Sequence, residues 1–463
     1  MGVAPARLAV YEALRRITTR EIDLSQALAA TRAALADERD RALAADILTG
    51  TERWRGAIDF LIQRYAGRSL SRLDAEVVDV LRLSAYQVLH LDRVPPAAAV
   101  HDAVELTRRA GKMSAASFVN AVLRGFCRDR EHPPLPARPE ALAPSDISGR
   151  RRAELDYLAI SLSHPRWLAS RWIDRYGFDA AASWMAFNNQ PARMAVRANR
   201  LKTSRRGLAA ALEAHGVSAT PTRFAPDGLI VTDGNPLRTP LAGSGLFFVQ
   251  DEASQLISYV AAARPGTLVL DCCAAPGGKA VAMAADMGDA GVLVASDVRR
   301  RRVTLLRQTV LESGATCVRL LQADMRRAAP CRPVFDLVVV DAPCSGLGTL
   351  RRDPDLRWRR SEGDLADFAA AEQQLLTAAA EAVRPGGRLL YATCSSEPEE
   401  NERVVEGFLA GQPAFRPLNL RDALHPVADH LQGLFTGEGY LRTYPHEHAL
   451  EAFFAAAVQR ASA

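Results

Sequence analysis

Apolar residues recur at three- and four-residue spacing through the first part of the chain, up to about position 130. That period predicts six helices, at 7–16, 24–35, 42–64, 74–89, 97–109 and 115–128. Leu73-Asp74 and Ser114 fit helix starts, and Pro95-Pro96 interrupts the pattern before another helix begins. No alternating strand pattern occurs there, so residues 1–130 are expected to form an all-α domain. Residues 131–160 read as a linker, led by His132-Pro-Pro-Leu-Pro-Ala-Arg-Pro, whose prolines favour a semi-extended chain. Residues 161–250 form a small mixed α+β region. Helices are expected at 166–176, 179–188 and 205–215, and strands at 194–197 and 228–231.

From 251 to 463 the pattern changes. Short, mostly apolar stretches at 268–271, 292–297, 318–322, 337–341 and 388–392 read as buried strands and alternate with helical stretches. Runs of that length, bounded by Asp and Gly, suit strands buried on both faces, and alternation with helices predicts a doubly wound parallel sheet. The fold class is therefore multidomain: an all-α N-terminal domain, a small α+β connecting region and an α/β Rossmann-like domain.

Composition adds little to this for fold and more for function. Of 463 residues 48% are hydrophobic and 24% charged, ordinary values for a chain that builds full cores. No run reaches the ~20 apolar residues of a membrane-crossing helix, so no membrane partner is expected and the protein is placed in the cytoplasm. Seven cysteines with no C-x-x-C pair argue against a structural zinc site and a disulfide framework. No metal is expected, and the protein is read as a monomer. Net charge is +5, which permits an anionic partner without requiring one. Lysine occurs only at 112, 202 and 279, so almost all positive charge is arginine. Arginine binds phosphate bidentately and stacks on bases, which suits RNA; a GC-rich genome gives the same bias. Against that background a lysine kept in a Gly-Gly-Lys turn draws notice.

Three segments carry candidate chemistry. Leu270-Asp-Cys-Cys-Ala-Ala-Pro-Gly-Gly-Lys279 runs from a strand into a helix. Its backbone, from Cys273 through Ala274, Ala275, Pro276, Gly277 and Gly278 to Lys279, is placed where glycines let a ligand approach closely. It departs from G-x-G-x-x-G, which disfavours a dehydrogenase. Asp297 ends the next strand, about twenty residues on, where an acid bonds ribose hydroxyls. Asp324 follows the third strand and is placed to accept from an adenine amino group. Asp341-Ala-Pro-Cys344-Ser-Gly and Ala392-Thr-Cys394-Ser each put a thiol just past a buried strand, at the sheet end where such folds bind ligands. Two thiols with Asp341 beside one of them point to covalent chemistry. Cys127, Cys272, Cys317 and Cys331 lack such a setting and read as packing residues.

These three runs together, the last extended through Tyr391-Ala-Thr-Cys-Ser-Ser-Glu-Pro-Glu-Glu-Asn-Glu402, resemble the RNA 5-methylcytosine methyltransferases, and within them the RsmB/Sun group that acts on 16S ribosomal RNA. Leu83-Ser-Ala-Tyr-Gln-Val-Leu, Ala99-Val-His-Asp-Ala-Val-Glu-Leu and Phe118-Val-Asn-Ala-Val-Leu-Arg are similar to the NusB-like RNA-binding domain of that group. The resemblance spans nearly the whole chain. It implies S-adenosyl-L-methionine as cofactor, held by residues 273–279, Asp297, Asp324 and Asp341. It assigns attack on cytosine carbon 6 to Cys394 and release of the product to Cys344. From the residues themselves, Asp341 can bond the ring nitrogen and amino group, and Lys279 can support the same ring or lower a cysteine pKa. The residues alone leave the order of the thiols open, because DNA cytosine methyltransferases attack from a Pro-Cys motif. Ala280 stands where the family often has threonine, and Leu450-Glu-Ala-Phe-Phe lacks the glycine of the family's Asp-Gly-Phe-Phe, which puts the backbone near Phe453 and Phe454 in question. Three functions are carried forward: the ribosomal or transfer RNA cytosine-5 methyltransferase, a DNA cytosine methyltransferase, and a non-catalytic RNA-binding assembly factor. Arg299–Arg302, Arg351-Arg352 and Arg357–Arg360 with Trp358 are candidate RNA contacts, the last because it closely follows Cys344.

Overall fold

The computed structural model describes residues 2–139, 147–327, 332–424 and 429–462. The chain divides into two compact units, Met1–Gln190 with Leu350–Arg360, and Pro191–Thr349 with Ser361–Ala463.

The first unit is helical. Its helices are α1 (Pro5–Thr18), α2 (Leu24–Ala34), α3 (Glu38–Arg53), α4 (Arg55–Ala66), α5 (Ala75–His90), α6 (Pro96–Arg109), α7 (Ala116–Arg128), α8 (Ile147–Asp156), α9 (Arg166–Tyr176) and α10 (Phe178–Asn188). Local chemistry sets several starts. Asp23 and Gln26 cap α2 reciprocally, Asp37 accepts from two N–H groups at the start of α3, and prolines open α1 and α6. Helices α1 to α7 share a core around Leu14, Leu48, Ile58, Leu81 and Phe126, and α5 is buried all round from Val77 to Val88. A buried ion network crosses it: Asp79 takes bonds from Arg15 at 2.7 Å, Thr18 at 3.1 Å and Arg82 at 3.3 Å.

Three expectations change here. The single helix expected over 42–64 is two, α3 and α4, broken at Trp54. Carbonyls freed by the break have partners far along the chain: Trp358 Nε1 donates to the Glu52 carbonyl at 2.7 Å, and Arg357 Nη1 to that of Arg53 at 3.4 Å. Residues 147–156, read as linker, are helical; part of the proline-rich stretch, 140–146, lies outside the described residues. Finally, two arginines of the 351–360 stretch proposed as an RNA contact, Arg351 and Arg357, are internal, while Arg352, Arg359 and Arg360 are half-exposed. Arg357 is 0% exposed and donates to the Ser163 carbonyl and Asn189 Oδ1, each at 2.9 Å, while Arg351 lies 4.0 Å over the Phe187 ring. A guanidinium committed to carbonyls in a core cannot also meet phosphate.

The second unit holds two sheets. The smaller is built from β1 (Ala195–Ala198), β2 (Ser218–Pro221), β3 (Gly228–Asp233) and β4 (Phe247–Val249), in antiparallel order β2-β3-β1-β4, with α11 (Arg205–Ala214) across one face. The larger contains α12 (Glu252–Ala261), β5 (Leu268–Asp271), α13 (Gly278–Asp286), β6 (Val292–Asp297), α14 (Arg300–Ser313), β7 (Val318–Gln322), β8 (Phe335–Asp341), α15 (Asp364–Ala380), β9 (Val383–Thr393), α16 (Glu402–Gly411), β10 (Phe415–Leu418), β11 (Leu441–Arg442) and β12 (Phe454–Arg460). Its strand order is β10-β12-β9-β8-β5-β6-β7, with β11 on β12. The five strands expected from sequence are parallel, but β12 runs antiparallel to β9 and to β10, so the sheet is mixed rather than all parallel. Apolar layers pack on both faces. No helix among the described residues is long and apolar enough to cross a membrane.

One core contact gives a direct test. A Cβ placed on Gly50 of α3 would lie within 1.9–2.3 Å of the Tyr86 ring and hydroxyl, and that hydroxyl is held by Asp46 at 2.8 Å. Gly50→Ala should therefore destabilise the helical unit by about 1–3 kcal/mol through overpacking, read as an earlier unfolding transition in calorimetry; an unchanged transition would show that Tyr86 moves freely.

Candidate active site

The parallel strands end together, and their ends carry the predicted residues. After β5 the chain turns through Cys272–Gly277 and enters α13. The turn is pinned to neighbouring strands: Cys272 N–H donates to the Val339 carbonyl at 2.9 Å, and Ala274 N–H to that of Ser296 at 2.8 Å. Gly277 has φ +113°, and a Cβ there would come within 2.9 Å of Leu306, so glycine is required. Ala274 and Ala275 are buried, Pro276 is exposed, and Gly278 faces Gln250.

Asp297, 3% exposed, ends β6. One oxygen accepts the Arg299 N–H at 3.1 Å; the other faces Arg302 Nε at 3.4 Å, and Arg302 reaches back to the Ala275 carbonyl at 2.7 Å. Asp324 lies beyond β7, where Ala323 N–H donates to the Asp297 carbonyl at 3.3 Å. Its carboxylate is gripped by Arg326 at 2.9 and 3.0 Å, and that hydrogen bonding holds its pKa below the ordinary range. The structure thus brings Asp297 and Asp324 to adjacent strand ends, the second with an arginine already on it.

The thiols meet. Cys344 Sγ lies 3.2 Å from Cys394 Sγ. Close packing of their turns sets this: Gly348 N–H donates to the Cys394 carbonyl and Ala452 N–H to the Gly348 carbonyl, each at 2.9 Å. A Cβ on Gly348 would sit 2.0 Å from the Ala452 carbonyl oxygen. The Cys344 pKa is raised well above that of a free thiol, first by its hydrogen bond with Cys394 and then by burial.

Lys279, in the first turn of α13, donates to Asp341 at 2.7 Å. Burial opposes its charge, but Asp341 and then Cys394 outweigh that, and its pKa is raised. The ammonium also lies 5.8 Å over the Phe453 ring. Beyond Ala452, which stands where the family has glycine, Phe453 covers Lys279, and Phe454 begins β12 with 0% exposure.

One member was not foreseen. Asp271, 1% exposed, ends β5, and its pKa is pushed up to about 7 by burial and by the Asp341 charge. It stood inside the quoted glycine-turn motif, but only the fold shows that its neighbours are also acids. Asp271, Asp297 and Asp341 line successive strand ends, a setting that suits a cationic ligand. Nearby, Gln250 Oε1 and Ser296 Oγ are buried without partners. Acidic strand ends, a glycine cradle and unpaired polar atoms fit a sulfonium-bearing nucleoside. Fold and site together define an S-adenosylmethionine-dependent methyltransferase.

Comparison with known proteins agrees. The family described as 16S rRNA methyltransferase RsmB/F matches residues 258–459, the NusB family residues 4–128, and a ferredoxin-like domain of RsmF/B-like methyltransferases residues 164–238. The chain is 31% identical over 426 residues to a probable ribosomal RNA small subunit methyltransferase B of Bacillus subtilis, covering 91% of each. It is 35% identical over 466 residues to a putative methyltransferase of Mycobacterium tuberculosis, covering 98% of this chain and 96% of that one. The crystal structure of PH0851 is similar with a TM-score of 0.78 at 27% identity, over 99% of this chain and 100% of that one. This chain belongs to the RsmB/F methyltransferase family.

The raised Asp271 pKa predicts a pH effect. Between the ordinary carboxylate range and about 7 the folded, cofactor-free protein holds a proton that the unfolded chain releases. This group's contribution to stability is therefore greatest at low pH and falls as pH rises towards 7. Asp271→Asn, which keeps an acceptor for the Cys273 N–H, should be more stable than the parent at pH 8, by up to about 4 kcal/mol, with the gap narrowing to about 1.5–2 kcal/mol at pH 5 and closing only below about pH 4. Equal denaturant midpoints at both pH values would remove Asp271 from the acidic cluster.

Proposed function

We propose that this protein methylates carbon 5 of a cytosine in RNA, with 16S ribosomal RNA as substrate and the cytoplasm as its place of action. Cys394 is the nucleophile. The observation that carries this reading is the contact of the two thiols at 3.2 Å, beside the Lys279–Asp341 pair.

Carbon 5 of cytosine is a weak nucleophile until a thiolate adds to carbon 6. Cys394 forms the sulfur–carbon 6 bond, and the electron pair of the carbon 5–carbon 6 double bond moves to carbon 5. Lys279, close enough for its charge to be coupled to Cys394, favours the thiolate. Asp341 is placed to bond the ring nitrogen and amino group, steadying charge that develops on addition. When bound, S-adenosylmethionine supplies the methyl group that carbon 5 takes up. The carbon 5 proton then passes to solvent, the double bond re-forms, and Cys394 departs with its electron pair. Cys344, which keeps its proton, bonds the departing sulfur and so assists release.

For the methyl donor, residues 273–279, Asp297, Asp324 and Asp341 form the site. The target base must be unstacked to expose carbon 6, which favours single-stranded or looped RNA. The helical N-terminal domain, a member of the NusB family by its match over residues 4–128, contributes RNA affinity. Relatives named ribosomal RNA small subunit methyltransferase B support ribosomal over transfer RNA.

Incubation with labelled cofactor and either ribosomal RNA or DNA, followed by nucleoside analysis, tests the reaction. Label in 5-methylcytidine supports it; label in DNA alone, or none, contradicts it. The thiols are separated by their variants. Cys394→Ala should give neither product nor adduct. Cys344→Ala should still add and methylate but stall at release, accumulating a cofactor-dependent protein–RNA adduct that survives denaturing electrophoresis. The reverse pattern would make Cys344 the nucleophile.

A further inference from the structure

Behind the two thiols lies a buried acid that the reaction steps do not use. Glu400, 0% exposed, ends a tight turn (Pro398–Glu400) just before α16. Its carboxylate binds the turns of both cysteines. One oxygen accepts the Ser345 backbone N–H at 2.6 Å; the other accepts the Ser345 hydroxyl, also at 2.6 Å, and the Ser395 hydroxyl. Its carbonyl accepts the Tyr391 hydroxyl, on the strand that leads to Cys394. Asn401 adds a second tie, donating to the Ser395 carbonyl at 3.0 Å and accepting from the Thr393 hydroxyl.

The arrangement repeats the contact it supports. Ser345 follows Cys344 and Ser395 follows Cys394; the two serine hydroxyls lie 3.4 Å apart and the two sulfurs 3.2 Å. A buried charge is a poor choice for filling space, since an apolar side chain avoids its desolvation. A carboxylate can, however, accept several bonds at once, which lets a single side chain join two separate turns. Glu372, on α15, is 1% exposed and faces Tyr391 and Glu400. Burial and then the Glu400 charge push its pKa up to about 10, and burial raises that of Glu400 as well.

We propose that Glu400 is a positioning residue for the methyl transfer: through Ser345 and Ser395 it clamps the two cysteine turns and fixes the contact between Cys344 and Cys394. This rests on the reading that those thiols perform the reaction.

Two readouts, on the full chain, test it in Glu400→Gln and in the double variant Ser345→Ala/Ser395→Ala. The first needs no catalysis. Diamide joins the two thiols: they lose two protons and two electrons, a sulfur–sulfur bond forms, and the azo group is reduced to a hydrazine. The rate of Cys344–Cys394 linkage, followed by mass spectrometry, reports how well the sulfurs are held together. Expected are rapid linkage in the parent and at least tenfold slower linkage in both variants. The second readout is steady-state methylation, where kcat should fall ten- to a hundredfold while KM for RNA and for cofactor stays within twofold. If Glu400→Gln does not fold, as judged by circular dichroism, the serine double variant, which retains the buried carboxylate, decides. Folded variants with parental linkage and parental kcat overturn the clamp. A parent that makes no 5-methylcytosine, yet whose linkage depends on Glu400, supports the clamp and overturns the reaction assignment instead.

Discussion

The site depends on the parallel register between β8 and β9. Asp341 stands opposite Ala392, and the Ala342 N–H donates to the Ala392 carbonyl at 2.8 Å, so both strands stop at the same level. Each then turns into its cysteine. A slip of one residue would send alternate side chains to the other face of the sheet and part the thiols. Burial on both faces makes such a slip costly, because Val338, Val340, Leu389 and Tyr391 occupy one apolar layer and Leu337, Val339 and Leu390 the other. The chemistry at the strand ends is thus held in place by packing well below it.

The same register gathers charge. Strand ends that stop together put Asp271, Asp297 and Asp341 side by side, and like charges in a buried setting resist full ionisation. Asp271 takes the consequence as a raised pKa. Asp297 and Asp341 instead have cations at hand, Arg302 and Lys279. Lys279 serves twice, since the group that balances Asp341 also faces Cys394. A conservative change to arginine would not reproduce a compact charge at the foot of a helix.

How much of this the sequence discloses depends on whether the cause is local. The first three strands of the parallel sheet match their expected bounds: β5 and β6 are nearly continuous apolar runs stopped by Asp, and β7, the edge strand, keeps enough apolar residues around the exposed Arg319 to be read before Gln322. The cysteines and the glycine turn are legible for the same reason: each lies just past such a run. β12 was not, since Phe454-Ala-Ala-Ala-Val458 is as good a helix as a strand, and only pairing with β9 decides. The break at Trp54 has no proline to announce it, and Gly56 two residues on is itself helical; the partners that make the break tolerable are some three hundred residues away. That long-range demand is also what takes Arg357 out of contention as an RNA contact. Glu400 stood in a quoted motif, but its bonds to Ser345 cross 55 positions and could not be read from spacing.

The central claim is that Cys394 bonds to the base while Cys344 does not. It is tested most directly with RNA carrying 5-fluorocytidine, whose carbon 5 has no proton to lose, so that the adduct cannot break down after methyl transfer. The trapped complex of the unaltered protein, formed with S-adenosylmethionine, is digested and the nucleotide-bearing peptide sequenced by mass spectrometry. The nucleotide is predicted on Cys394, with Cys344 recovered as free thiol. A nucleotide on Cys344, or a folded protein that methylates RNA without trapping on either cysteine, would contradict the account.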